Sequence, residues 1–186
     1  MDERRFETAT LAGGCYWCLE AVFERVRGVE RVVSGFSGGG GSAPSYREVC
    51  SGRTGHAEVI QVTFEPAQVS YRELLELFFA FHDPTTLDRQ GPDVGTQYRS
   101  AIFVHSPEQA REAREVIAAF TADGVFPAPI VTAVVAFTAF FPAEEYHQGY
   151  YRQNSEQPYC RVMIAPKLAK LRAHFAARMR EEPAGR

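Results

Sequence analysis

Gly13-Gly14-Cys15-Tyr16-Trp17-Cys18 is the stretch on which the fold turns, because a strand runs into it and a helix runs out. Upstream, Phe6 to Ala12 alternates loosely between apolar and polar residues, the period of a strand. Downstream, Leu19, Val22, Phe23 and Val26 recur at steps of three and four. That spacing predicts an amphipathic helix from Cys15 to Val26, with Gly28 as its stop. The glycine pair permits a tight turn between the two elements.

Working outward, Val29 to Phe36 reads as a second strand and His56 to Phe64 as a third, closed by Pro66. Ser70 and Glu73 form a capping box ahead of Leu74, Leu75, Leu77, Phe78 and Phe81, a second helix. Ala101 to Val104 is a short strand. Ser106-Pro107 then opens a helix to about Phe120, with Gln109 completing another capping box. Ile130 to Phe137 is a further strand. Pro166 starts a last helix, with Leu168, Leu171 and Phe175 inward, running to about Arg180 ahead of a disordered tail over 181–186. The βαββαβ opening predicts an α+β fold, a two-layer sandwich with a mixed sheet and a mostly irregular C-terminal region.

The chain has 186 residues, 45% apolar and 23% charged, which suits one domain spanning 1–186 with its core over about 6–160. A net charge of -3 gives no reason to expect nucleic acid or a membrane surface as partner. Lys167 to Arg180 reads as the solvated face of a terminal helix. The N-terminus carries no apolar signal core, and Ile130 to Phe141 is too short to span a bilayer, so a cytoplasmic protein is expected. In a reducing cytosol, Cys15, Cys18, Cys50 and Cys160 are redox-active, metal-binding or buried rather than structural disulfides. Two stretches lack periodicity, Ser37 to Gly55 and Asp83 to Arg99. Loops of that length in a compact domain, rich in Tyr, Asp, Glu and Arg, are read as functional.

A thiol at a helix start faces free backbone N–H groups and the positive end of the dipole, both of which favour the nucleophilic thiolate. The C-x-x-C pair alone admits a zinc half-site, a thioredoxin-like dithiol, or a nucleophile beside a bystander. Zinc wants a second closely spaced Cys or His pair, which Cys50, His56 and Cys160 do not supply. Tyr16 and Trp17 argue for an apolar pocket beside the sulfur, and no nucleotide, flavin or metal motif points to a cofactor.

Gly14-Cys15-Tyr16-Trp17 resembles the G-C-[FY]-W signature of the A-type peptide-methionine sulfoxide reductases. Tyr46 to Gly52 with Thr54 to Glu58, Gly95 to Ser100, and Glu144 to Gln148 resemble three further blocks of that family, in family order. The resemblance implies a two-layer sandwich related to ferredoxin-like folds. It also implies reduction of the S epimer of methionine sulfoxide, free or in proteins. It makes Cys15 the nucleophile, Glu58 the acid, Tyr46 and Tyr98 hydroxyl donors to the sulfoxide oxygen, and Asp93 a hydrogen-bonding carboxylate. Tyr16 and Trp17 hold the substrate methyl group. Cys160 is the recycling cysteine, on a mobile tail, with Cys18 the alternative; Cys50 is buried and His147 structural. Thioredoxin or a similar dithiol is the implied reductant of a monomeric enzyme. Two rival readings stand beside this one: a C-x-x-C protein-disulfide oxidoreductase, and a zinc-stapled interaction module.

Overall fold

A computed structural model describes residues 5–181; the tail expected over 181–186 lies outside these apart from Glu181. The first strand, β1 (Glu7–Gly13), leads through Gly14 and Cys15 into helix α1 (Tyr16–Phe23). There follow β2 (Val29–Ser37), α2 (Tyr46–Cys50), β3 (Ala57–Phe64), α3 (Tyr71–Ala80), the short pair β4 (Arg89–Gln90) and β5 (Asp93–Val94), and β6 (Ser100–Val104). Then come α4 (Pro107–Ala122), β7 (Ala133–Ala136), β8 (Phe140–Pro142), α5 (Tyr150–Asn154) and α6 (Ala165–His174).

One six-stranded sheet runs in the order β7-β6-β1-β3-β2-β8. Its neighbours are antiparallel except for the parallel β6–β7 edge, so the sheet is mixed as expected. Alternation divides β1 and β3 between two faces. Leu11, Ile60, Val62 and Phe64 point to the helix layer, where they join Leu19, Phe23, Leu74 and Phe78 in the main core. Ala12, Ala57 and Val59 point the other way, to a smaller cluster with Ala101 and Phe103 that Phe137 and Phe140 cover. Glu58 has the parity of Ile60 and therefore faces the helices, opposite Phe36 of β2.

The capping box at Ser70 and Glu73 is present in both directions. At α4, Ser106 accepts from the Gln109 amide as expected, but Gln109 does not complete the box. Its side chain instead accepts from His105 N–H and donates to the Thr8 carbonyl, tying α4 to the start of β1. The first helix stops at Phe23, short of Val26, because Val26 pairs with Met179 in an isolated antiparallel bridge. The same pairing ends the last helix at His174, well before Arg180. The C-terminal region is not irregular but largely helical: α5, then a π turn over Cys160–Ile164 that runs straight into α6. Pro166 has no N–H to return to the carbonyl four residues back, and the wider turn before it accommodates that loss. No helix among the described residues is long and apolar enough to cross a membrane.

Gly14 fixes the geometry of the strand-to-helix turn. Its φ is +92°, and a Cβ there would stand 2.5 Å from Cγ of Gln90. Gly14→Ala is therefore expected to lower stability by about 1–3 kcal/mol, measured by urea unfolding with an unchanged m-value. Adding Gln90→Gly, which also removes the Gln90 Cβ at 2.6 Å, should relieve the clash but not the backbone strain. Full recovery in the double variant would show that the left-handed φ costs nothing.

Candidate active site

Cys15 is the N-cap of α1, and its side chain makes no cap hydrogen bond. Directly above it in the chain, the amide of Tyr16 donates to Oε1 of Glu58 at 3.2 Å. Glu58 is 1% exposed. Burial is the chief reason its pKa is pushed up to about 8; the charges of Asp93 and Cys18 add to it, and the Tyr16 amide opposes it. At neutral pH this carboxyl is mostly protonated. A neutral acid is thus held one residue from a thiol.

The two thiols of the C-x-x-C pair share their titration. Cys15 is pushed well up by burial, by its hydrogen bond with Cys18 and by the charge of Glu58. Cys18 is pulled down to about 7 by the Cys15 hydrogen bond against its own burial, with help from the charge of Lys167. At Cys15 burial thus opposes the pull toward the thiolate that a helix start supplies.

Asp93 reaches the dithiol through an intermediary. The Tyr159 hydroxyl donates to Oδ2 of Asp93 at 2.8 Å and lies 3.7 Å from Sγ of Cys18. Tyr46, on α2, and Tyr98, on a 3₁₀ turn over Thr96–Tyr98, are half-buried hydroxyls whose titration is pushed up by burial and by the charge of Glu58. α2 forms inside the glycine-rich stretch because Ser45 and Glu48 make a full capping box.

Aromatic rings close one side. Tyr16 is buried against Phe36 and stacks on Tyr46 with centroids 6.5 Å apart. Trp17 turns outward and stacks on Tyr150 at 3.7 Å. Its indole N–H donates to Nδ1 of His147 at 3.1 Å. That bond puts the histidine proton on Nε2, which is buried without a hydrogen-bond partner and lies 3.9 Å from Oε2 of Glu144. Glu144 in turn accepts the Tyr46 amide through Oε1. His147 thereby supports Tyr16, Trp17 and Tyr46 at once.

The structure brings Cys15, Tyr16, Trp17, Cys18, Tyr46, Glu58, Asp93 and Tyr98 into one neighbourhood. Cys160 is not on a mobile tail: it is fully buried in the π turn, and the thiol acting on it is Cys18. Cys50 is exposed rather than buried, its thiol beside the Tyr46 hydroxyl, because α2 stands out from the core with only Val49 turned inward. Tyr159 and Tyr150 belong to the site and were not singled out by sequence. The signal for Tyr159 was its place beside Cys160; Tyr150 gave none. Among the described residues no three His, Cys, Asp or Glu side chains converge as metal ligands.

A family model described as peptide methionine sulfoxide reductase matches residues 7–179. The peptide methionine sulfoxide reductase MsrA of Chromobacterium violaceum is 56% identical over 170 residues, covering 91% of this chain and 97% of that protein. Among solved structures, reduced Mxr1 from Saccharomyces cerevisiae is similar with a TM-score of 0.77 and 35% identity, over 86% of this chain and 91% of that one. Mxr1 in complex with Trx2 is similar with a TM-score of 0.54 and 25% identity, over 80% and 87% of the respective chains.

The raised pKa of Glu58 has a thermodynamic signature. Between the ordinary value of 4.5 and about 8, the unfolded chain releases a proton that the folded chain keeps. The stability this group contributes is therefore fully present below the unfolded value and lost as pH rises through the folded one. Relative to Glu58→Gln, wild type should lose roughly a few kcal/mol of unfolding free energy between about pH 5 and about pH 9. A constant difference between the two proteins across that range would mean the carboxyl is not held neutral.

Proposed function

The chain belongs to the peptide methionine sulfoxide reductase family, and on that premise we propose that Cys15 attacks the sulfoxide sulfur while Glu58 protonates the oxygen. The observation that carries this is the protonated, buried Glu58 carboxyl held by the Tyr16 amide at the N-terminus of α1. Sulfoxide reduction by a thiol needs an acid, because the oxygen accepts a proton as its bond to the methionine sulfur breaks. Cys15–SH and the sulfoxide become Cys15–SOH and methionine, so the oxygen passes to the enzyme and two electrons to the substrate. Tyr46 and Tyr98 act as hydroxyl donors to the oxygen as negative charge develops on it, supported by their nearness to Glu58. Asp93 orients Tyr159 against the dithiol. The rings of Tyr16 and Trp17 give the methyl group an apolar surface, and the S epimer is taken as substrate from the family resemblance.

Recycling requires a second thiol, and Cys160 is assigned this task with Cys18 as the relay. Cys18 is pulled down to about 7, chiefly by its hydrogen bond with Cys15, and it interacts with both other thiols. Its thiolate displaces the sulfenic oxygen as water, giving a Cys15–Cys18 disulfide. Cys160 then attacks Cys18, freeing Cys15 and leaving a Cys18–Cys160 disulfide that thioredoxin reduces. The yeast relative's complex with Trx2 supports that reductant. The reading is of a monomeric, single-domain enzyme, and four cysteines without structural disulfides suit the reducing cytoplasm.

The deciding experiment is single-turnover reduction of separated S and R epimers of a methionine-sulfoxide peptide. Methionine from the S epimer only is expected, none with Cys15→Ser, and a rate lowered about 10²- to 10⁴-fold with Glu58→Gln. An unchanged Glu58→Gln rate would remove the acid assignment. A disulfide oxidoreductase would instead form no methionine.

Recycling is tested separately. Cys160→Ser should release one methionine per enzyme and then stall with thioredoxin. Full steady-state turnover in that variant would transfer the recycling role to Cys18 alone.

A further inference from the structure

Behind the Gly13-Gly14 turn, where the ends of α3 and α4 meet α6, opens a cavity of about 790 Å³. Its walls are largely aromatic: Phe79 packs edge-on against Phe120, Phe120 against Phe126, and Phe81 against Phe175. An apolar cleft of this size holds a small organic molecule.

Two acids and two lysines line it, and they differ in their partners. Of the acids on its rim, Glu76 lies against Arg72 and Arg178, and Asp83 Oδ1 accepts from both the amide and the hydroxyl of Thr85. Lys167 and Lys170, by contrast, form no ion pair among the described residues. Each ammonium gives one proton to a carbonyl at the end of α3, Lys167 to Phe81 at 2.8 Å and Lys170 to Ala80. Lys170 also stands over the Phe81 ring, 5.1 Å from its centroid. Two donors remain on each ammonium. Partial burial, and after it repulsion from Lys167, pull Lys170 down from its usual range. A bound anion would relieve that repulsion.

We propose that this cavity binds an apolar monocarboxylate, its chain among the phenylalanines and its carboxylate between Lys167 and Lys170, and that its occupancy is felt at the dithiol. Two physical links run from the cavity to the site. Gln90, in the wall, grips the amide and carbonyl of Asp83 and packs against Gly14. Lys167 supplies positive charge that favours the Cys18 thiolate. A carboxylate at Lys167 offsets that charge, so the occupied protein holds Cys18 more as a thiol. The link to turnover rests on the relay role proposed for Cys18; binding does not.

Calorimetry with decanoate and with decylammonium tests the site, since the two share a chain and differ in headgroup. Saturable binding of one decanoate per chain is expected, with none for decylammonium. Lys170→Gln should weaken decanoate about tenfold or more through loss of a charged hydrogen bond. Val125→Glu, at a position 52% exposed, should weaken it similarly without altering the thermal transition. Absence of saturable binding, equal binding of decylammonium, or wild-type affinity in Lys170→Gln would overturn the site. For the link, a Cys15→Ser, Cys50→Ser, Cys160→Ser protein leaves Cys18 the sole thiol. Its alkylation by iodoacetamide at neutral pH should slow several-fold when decanoate saturates. An unchanged rate would detach the cavity from the dithiol. Neither readout depends on which cysteine recycles the enzyme.

Discussion

Glu58 Oε1 accepts the amide proton of Tyr16 at 3.2 Å, and much of the molecule is arranged so that this bond can exist away from water. An ionised carboxylate in such surroundings is costly, so the group keeps its proton, which is what the proposed acid role requires. To be buried, Glu58 must come from an inner strand on the helix-facing side, which the placement of β3 between β1 and β2 provides. To be met by a backbone amide, α1 must begin at Tyr16, which requires β1 to end in the left-handed turn at Gly14. Strand order, turn and helix start are one constraint seen from three sides.

The aromatic wall follows from the same helix start. Successive residues at a helix N-terminus point in different directions, so Tyr16 goes into the core and Trp17 outward. An outward indole needs something to hold it, and two elements distant in sequence do so: Tyr150 by stacking and His147 by accepting its N–H. The histidine is kept neutral by burial, which leaves Nδ1 free to accept. These contacts give His147 a place among the rings through its neighbours, in keeping with the structural part read from sequence.

What could be read in advance depended on whether the cause was local. The strands β1, β2, β3 and β6 and the helices α1, α3 and α4 announced themselves through periodicity, and Ser70 with Glu73 through a cap pattern. β8 did not, because a three-residue strand ending in proline has no period. It exists because Gly35 opposite Pro142 lets the Phe140 ring and the Phe141 carbonyl come close. The Gln109 side chain obeyed the motif in type and departed from it in partner, since the Thr8 carbonyl offered a second bond. In the site, the Cys15 thiol was legible from the glycine turn and the helix start, whereas Glu58, Tyr46, Tyr98 and Asp93 were assigned only through the family resemblance. The influence of Lys167 on Cys18 was not legible at all, because the two lie more than 140 residues apart in the chain.

The π turn at Cys160 holds one residue more than an α turn would, with the Ala165 amide closing back on the Cys160 carbonyl. A surplus residue in a helix is slack. It can be handed along the spiral or taken up as ordinary α turns, shifting the segment before it by about 1.5 Å per residue while α6 stays wound. A sulfur carried on such a segment has adjustable reach without an unfolded tether, so a cysteine that the resting fold encloses completely need not leave the fold to change partners.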